Sequence, residues 1–518
     1  MDEKNAVREP APDSTDISKQ GSKPQTPTEE RDGMFGNPIE GEVTNLSRAD
    51  LEKQKTAEGE AHFNRLGWKR LTVVLIVEAI ALGSLSLPSA FAALGMVAGT
   101  ICSVGLGLLA IYTSDIVGKV KIMFPDAAHY ADAGRLVGQK VGGKFWARFG
   151  YELVGGMFAL QLILLVGSHC LTGTIAWNNI TEHATCSVVF GVVSAIILLA
   201  LAVPPSFAEV AILGYIDFVS IVLAIGITII ATGIQASKQE GGLNAVQWSA
   251  WPKKDIKFYE AFLAITNIIF AYSFSICQFS FMDEMHTPTD YKKSIWALGL
   301  IEIFIYTFTG GIVYAFVGPD VKSPALLSAG DTVSKIAFGV GLPVIFISGS
   351  INTVVVGRFI HGRIFKNSII KYINTFAGWA TWLGLITAIT IIAFVIAESI
   401  PFFSDLLGIS SALFISGFTF YFPSIMWWVL IKEGPWYARH NWTASALNLL
   451  AFVVGLVTLG CGLYASVVDI VSCLCFCSTS RFHTNNAFRT TSSSPTACAA
   501  HSLARRFKSV DSNIAINF

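Results

Sequence analysis

From about residue 70 the chain alternates long apolar runs with short polar ones. A helix rises about 1.5 Å per residue, so about twenty apolar residues cover a hydrocarbon core of about 30 Å. Eleven runs reach that length, at about 70–92, 96–119, 146–176, 187–204, 208–234, 258–282, 295–318, 335–360, 374–399, 405–431 and 442–468. The third exceeds what a core needs, so it is expected to tilt or to extend past the lipid. Residues 1–62 lack the pattern: Asp, Glu, Lys, Ser, Thr, Pro and Gly with almost no aromatics bury too little apolar surface to offset ordering entropy, which predicts a disordered tail. Residues 470–518, with "SCLCFCSTS" near their start, are rich in Ser, Thr and Cys and nearly devoid of acids; they read either as a low-complexity tail or as an artefact of the gene model. The expected fold class is all-α, a polytopic membrane protein with its transmembrane domain over 63–469.

Composition agrees. Of 518 residues, 53% are hydrophobic and 14% charged, where soluble domains carry about a quarter charged. The net charge is zero and the basic residues are dispersed, so no nucleic-acid surface is indicated. No apolar core precedes residue 62, so the first span itself is expected to act as the insertion signal. Near the spans, Lys and Arg concentrate on one side, including Arg65, Lys69, Arg70, Lys119, Lys121, Arg135, Lys140, Lys144, Arg148, Arg358 and Arg363. The other side holds Lys238, Lys253, Lys254, Lys257, Lys322 and Lys335. This bias puts the N-terminus in the cytoplasm and, with an odd span number, the C-terminus outside. The sequon Asn179-Ile180-Thr181 then falls in an outer loop as a glycosylation candidate. The cysteines form no metal-site spacing, and no metal or cofactor is called for.

Inside the first span lies "LGSLSLPSAF", residues 82–91. Pro88 removes an amide donor and loosens the carbonyl of Ser84, while Gly83 permits backbone angles that Leu or Val would not. Non-helical backbone at membrane depth persists only where protein buries it or a polar cavity receives it. The segment Gly83, Ser84, Leu85, Ser86 therefore reads as an interruption able to bind a small zwitterion; a packing kink is the competing reading.

At these residues the chain resembles the amino acid/auxin permease family of transmembrane amino acid transporters. "GSLSLPSAFAALG" is similar to its first-span signature, and "NIIFAYSFSICQFSFMDEM" to its sixth-span segment, with Glu284 at the matching acid. "RLGWKRLTVVLIVEAIALGSLSLPSAFAALGMVAGT" resembles filamentous-fungal neutral amino-acid permeases in particular. The resemblance implies a five-plus-five inverted-repeat, LeuT-like fold with helices 1 and 6 broken at a shared site, and an eleventh helix outside the repeat. It places Phe270, Ala271, Tyr272 and Ser273 opposite Gly83–Leu87, although the sixth span has neither Gly nor Pro at its middle.

Acids inside spans cost about 2.5–3.5 kcal/mol at the helix centre, which makes them functional candidates. The candidates for the coupling proton are Glu78, the first choice because it lies a little over one turn before Gly83, then Glu152, which reads alternatively as a structural acid satisfied near the inner surface, and Asp217 and Glu302. Sodium-coupled relatives carry an asparagine where this chain has Val77, so the coupling ion is expected to be a proton, with sodium the alternative. Ser348, Ser350, Asn352 and Thr353 form a possible cation site on the eighth span. The substrate expected is a neutral aliphatic or aromatic amino acid, imported across the plasma membrane or, alternatively, handled at the vacuole. An amino-acid sensor of the same fold is the alternative function, and regulatory or ubiquitination machinery would act on the N-terminal tail. No channel filter, H-E-x-x-H or G-x-S-x-G motif suggests a channel or an enzyme.

Overall fold

A computed structural model describes residues 67–472 except Ser206, Asn367 and Pro401. The side chains of Val74, Val77, Glu78, Ala81, Ile369, Tyr372 and residues 207–212 lie outside the description. The tails expected at 1–62 and beyond 472 lie outside it too.

The described chain is helical throughout. In order it forms α1 (Trp68–Leu94), α2 (Met96–Met123), α3 (Tyr130–Gly142), α4 (Lys144–Ile180), α5 (Ser187–Leu201), α6 (Phe207–Lys238), α7 (Phe258–Ala271), α8 (Gln278–Asp283), α9 (Tyr291–Val317), α10 (Asp331–Ile364), α11 (Phe376–Ser399), α12 (Phe403–Ile431) and α13 (Trp442–Ser472). Every predicted span coincides with a helix, and the sixth is divided into α7 and α8. Eight of the described helices, α2, α4, α6 and α9–α13, are long and apolar enough to cross a bilayer by themselves, whereas α5, α7 and the stretch Leu82–Leu94 of α1 are shorter. With 37 residues α4 runs to about 55 Å, well beyond a hydrocarbon core. The short helix α3, between the second and third spans, was not predicted.

Spans one to four each pack against the span five places later: α1 on α7, α2 on α9, α4 on α10, and α5 on α11. Successive spans alternate direction, so partners five apart run oppositely, as in the inverted repeat anticipated above. The burial pattern is that of a protein solvated by lipid. Large apolar residues such as Ile101, Ile196, Ile230, Phe304 and Ile391 are exposed, while Ser, Thr, Asn and acid side chains are buried between helices.

Local chemistry sets the boundaries. Gly95, at φ 84°, separates α1 from α2, and its missing side chain admits the backbone of Trp251; the amides of Met96 and Val97 then bond the carbonyls of Ser249 and Ala250 at 2.9 Å. In α12, three stretches are wound as π-helix: Ser411–Ile415, Gly417–Tyr421 and Trp427–Ile431. Hydrophobic periodicity carries no mark of these turns.

Candidate functional site

The sixth span leaves the helical ladder after Ala271 and resumes at Gln278. All of Tyr272–Cys277 is buried, so each freed backbone group needs a partner inside the protein. Tyr306 of α9 donates its hydroxyl to the carbonyl of Ala271 at 3.1 Å, and also lies 2.9 Å from the carbonyl of Ala79. Thr419 of α12 donates to the carbonyl of Tyr272 at 3.4 Å. In return, the π-wound turn of α12 offers the carbonyl of Phe418 to Ser275 Oγ (3.2 Å) and to Tyr130 Oη (2.6 Å). The break is therefore held by side chains of α9 and α12, while Tyr130 of α3 shares the same α12 carbonyl with Ser275.

The first span corrects the expectation drawn from its sequence. α1 is continuous from Trp68 to Leu94 with Pro88 inside it. One proline removes one donor, and keeping the remaining ladder is cheaper in lipid than exposing several groups. Hydroxyls add to the local bonding: Ser86 Oγ donates to the carbonyl of Gly83 (3.0 Å) and Ser89 Oγ to that of Ser86 (2.8 Å). Gly83 serves close approach: a Cβ there would lie 2.9 Å from Cα and Cβ of Ala271 and 3.0 Å from Tyr306 Oη. Gly83, Ser84, Leu85 and Ser86 are all buried, with α1 and the end of α7 in direct contact.

The predicted partners on the sixth span are thus brought to α1, but with different roles. Ala271 faces Gly83. Phe270 and Ser273 are buried beside it. The Tyr272 ring turns toward α2 and α9, its hydroxyl 3.2 Å from Ser103 Oγ and its ring in an edge contact with Tyr306.

The acids separate. Glu78 lies outside the described side chains. Asp217 is fully buried on α6, and neither carboxylate oxygen has a hydrogen-bond partner among the described residues. Its helix faces α10, where Ser220 Oγ donates to the carbonyl of Val340 at 2.5 Å. Glu302 is fully buried on α9, one turn before Tyr306. Glu152 does not share that burial: its side chain is 52% exposed and paired with Arg363, because α4 projects past the core there. The pair fits the reading of Glu152 as a structural acid near the membrane surface rather than a proton site within it.

The four α10 residues are all buried, with Asn352 Oδ1 lacking a hydrogen-bond partner among the described residues. Ser350 and Thr353 donate to their own helix, at the carbonyls of Ile347 (2.7 Å) and Gly349 (3.2 Å); Asn352 Nδ2 donates to the carbonyl of Ser348 (3.2 Å), and Ser348 Oγ lies 3.5 Å from His169 Nε2. Asn179 is not in a loop: it belongs to the last turn of α4, and its side-chain Oδ1 accepts from Ser334 Oγ at 3.2 Å.

The far end of α8 is clamped. Lys121, 4% exposed, holds Asp283 at 2.6 Å and donates to the carbonyls of Pro125 (2.8 Å) and Ala127 (2.9 Å). Glu284, 1% exposed, pairs with Arg358 of α10. Ser114 and Gln278 bond reciprocally at 2.5 and 3.0 Å, and Ser280 meets His129 Nδ1 at 2.8 Å. Burial pushes the His129 pKa down to about 3 despite the charge of Asp283, so its ring is neutral at physiological pH.

Sequence reasoning passed over three buried polar residues near this region. Asn267 lies one turn before Ala271 with its side-chain Oδ1 unpartnered among the described residues, as is Gln161 Nε2; His169 is buried in α4. Their only sequence signal is a polar residue inside an apolar run.

Comparison with known proteins places this geometry in context. The profile of the transmembrane amino acid transporter protein family matches residues 64–468. An N amino acid transport system protein of Neurospora crassa is 63% identical over 434 residues, covering 83% of this chain and 91% of its own. A transmembrane transporter of Fusarium pseudograminearum is 29% identical, over 80% of this chain and 86% of its own. Among solved structures, Mhp1, a nucleobase-cation-symport-1 family transporter in a closed conformation with bromovinylhydantoin bound, aligns with 85% of this chain and 97% of its own, at a TM-score of 0.46 and 14% identity.

Proposed function

The chain belongs to the transmembrane amino acid transporter protein family, and from that premise we propose that it imports neutral amino acids across the plasma membrane by proton symport with alternating access. The observation that carries this reading is the interrupted sixth span, buried against Gly83 of α1 and the π-wound turn of α12. Backbone released from a ladder at this depth, with Asn267 beside it, suits the carboxylate and ammonium of an amino acid. Phe270, Phe274 and Phe418 are buried there, and the buried Lys121 and partly buried Arg358 are committed to the ion pairs at the far end of α8. That environment favours uncharged side chains. The two ion pairs would open and re-form as α8 moves, while the bias of Lys and Arg supports a cytoplasmic N-terminus.

For the coupling proton, Asp217 is the favoured group, because it is fully buried inside a span and neither of its carboxylate oxygens has a hydrogen-bond partner among the described residues. The test is uptake of a labelled neutral amino acid into proteoliposomes under an imposed proton or sodium gradient. Acid-driven accumulation is expected. Asp217→Asn should abolish accumulation and retain exchange of internal for external substrate. Accumulation that follows sodium, or that survives unchanged in Asp217→Asn, would remove proton coupling at this residue.

A further inference from the structure

The corner between α3 and α4 has features that substrate movement does not use. Gly134, Gly138 and Gly142 are spaced four apart on α3, and α4 lies directly on them; a methyl group at any of the three would collide with Gly150, with the backbone of Trp146 or with its ring. The two helices are thereby locked into a close-packed hairpin. Its tip exposes Val141 (66%), Phe145 (73%), Trp146 and Phe149, whose rings stand edge to face at 5.9 and 5.8 Å.

Lys140, Lys144 and Arg148 are exposed beside those rings, and no ion pair to them occurs among the described residues. Arg135 nearby lies 3.9 Å from Asp132. The acid one turn beyond Arg148 is Glu152, which Arg363 holds instead. Along α4 the exposed apolar face continues from Phe145 through Phe149, Leu153 and Leu160 into the spanning part of the helix. The tip therefore stands where a lipid-facing stripe meets water, on the side of the membrane where α1 starts.

We propose that this corner binds the headgroups of anionic phospholipids in the adjacent leaflet. The aromatic rings seat at the level of the headgroups, as tryptophan and other ring residues do at bilayer boundaries, and the three cations reach the phosphates. The charge is complementary to one class of lipid, and the rigid hairpin fixes the spacing. Each cation contributes about fivefold to the preference for anionic over zwitterionic lipid.

The full chain is reconstituted in nanodiscs of phosphatidylcholine with a minor fraction of phosphatidylserine, and the lipid retained by the protein after exchange into detergent is counted. Enrichment of phosphatidylserine is expected. The variant K140Q/K144Q/R148Q should lower it by at least about tenfold with the thermal unfolding transition unchanged. Phe145→Ser should weaken retention of both lipids alike. Both leaflets have the same composition, so the result does not depend on which way the chain is inserted. Equal enrichment by wild type and the triple variant would overturn the proposal. So would competition by free glycerophosphoserine as strong as that of the bilayer lipid, which would indicate a soluble phosphate ligand.

Discussion

The first and sixth spans meet at Gly83 and Ala271, yet they respond to their sequences in opposite ways. α1 contains Gly83 and Pro88, the residues most able to interrupt a helix, and remains helical; the sixth span contains neither at its middle and breaks between Ala271 and Gln278. The difference lies in the surroundings. Around Tyr272–Cys277, Tyr306, Thr419 and the π-wound turn of α12 provide partners for the released groups. Around Gly83, the neighbouring space is occupied by Ala271 itself. In lipid, where an unmet peptide group costs several kcal/mol, tertiary partners decide which helix opens, and local breakers only lower the threshold.

The largest test of that contrast is to release α8 from its clamp. Arg358→Gln leaves Glu284, 1% exposed, without its guanidinium, and should destabilise the protein by about 3–5 kcal/mol. A thermal scan of the purified variant measures this; an unchanged melting temperature would mean that α8 needs no ion pair to stay docked. Next is Gly83→Ala, where the added methyl meets backbone of Ala271. Overpacking of about 1–3 kcal/mol should separate α1 from the break and remove most uptake at normal surface abundance. Tyr306→Phe deletes the hydroxyl shared by the carbonyls of Ala79 and Ala271, and should cost about 1–2 kcal/mol in thermal stability with a matching fall in uptake. The smallest effect is expected at the proline. Because α1 is already helical there, Pro88→Ala should change stability by less than about 1 kcal/mol and leave most uptake; loss of uptake would show that the missing amide itself takes part in the cycle.

The same contrast explains what could be read in advance. Span positions were legible because twenty apolar residues in a row have few alternatives to crossing a bilayer. That the sixth span would be interrupted came only from resemblance, since its supporting groups lie on three other elements, as far off as Thr419. Asp217 was legible only as one of four acids in apolar runs, behind Glu78. Glu152 looked similar, but its exposure follows from the projecting end of α4 and its pairing from Arg363, more than two hundred residues later. Asn179 matched a sequon, and nothing in three residues reveals that they complete a helical turn. The π-wound stretches of α12 were invisible for a related reason: they change the hydrogen-bond ladder without changing the alternation of apolar and polar residues.

A π turn accommodates one residue more than the α turn it replaces while the helix on either side keeps its facing. Deleting a single residue such as Thr419 could therefore be absorbed as ordinary α-winding, with both ends of α12 still correctly phased. The carbonyl of Phe418 would still find no partner in its own helix, because the residue then four places on is Pro423, which has no amide to donate. The proline five residues after Phe418 thus leaves an acceptor for Tyr130 and Ser275, while the extra residue of the turn keeps the helix on either side in phase.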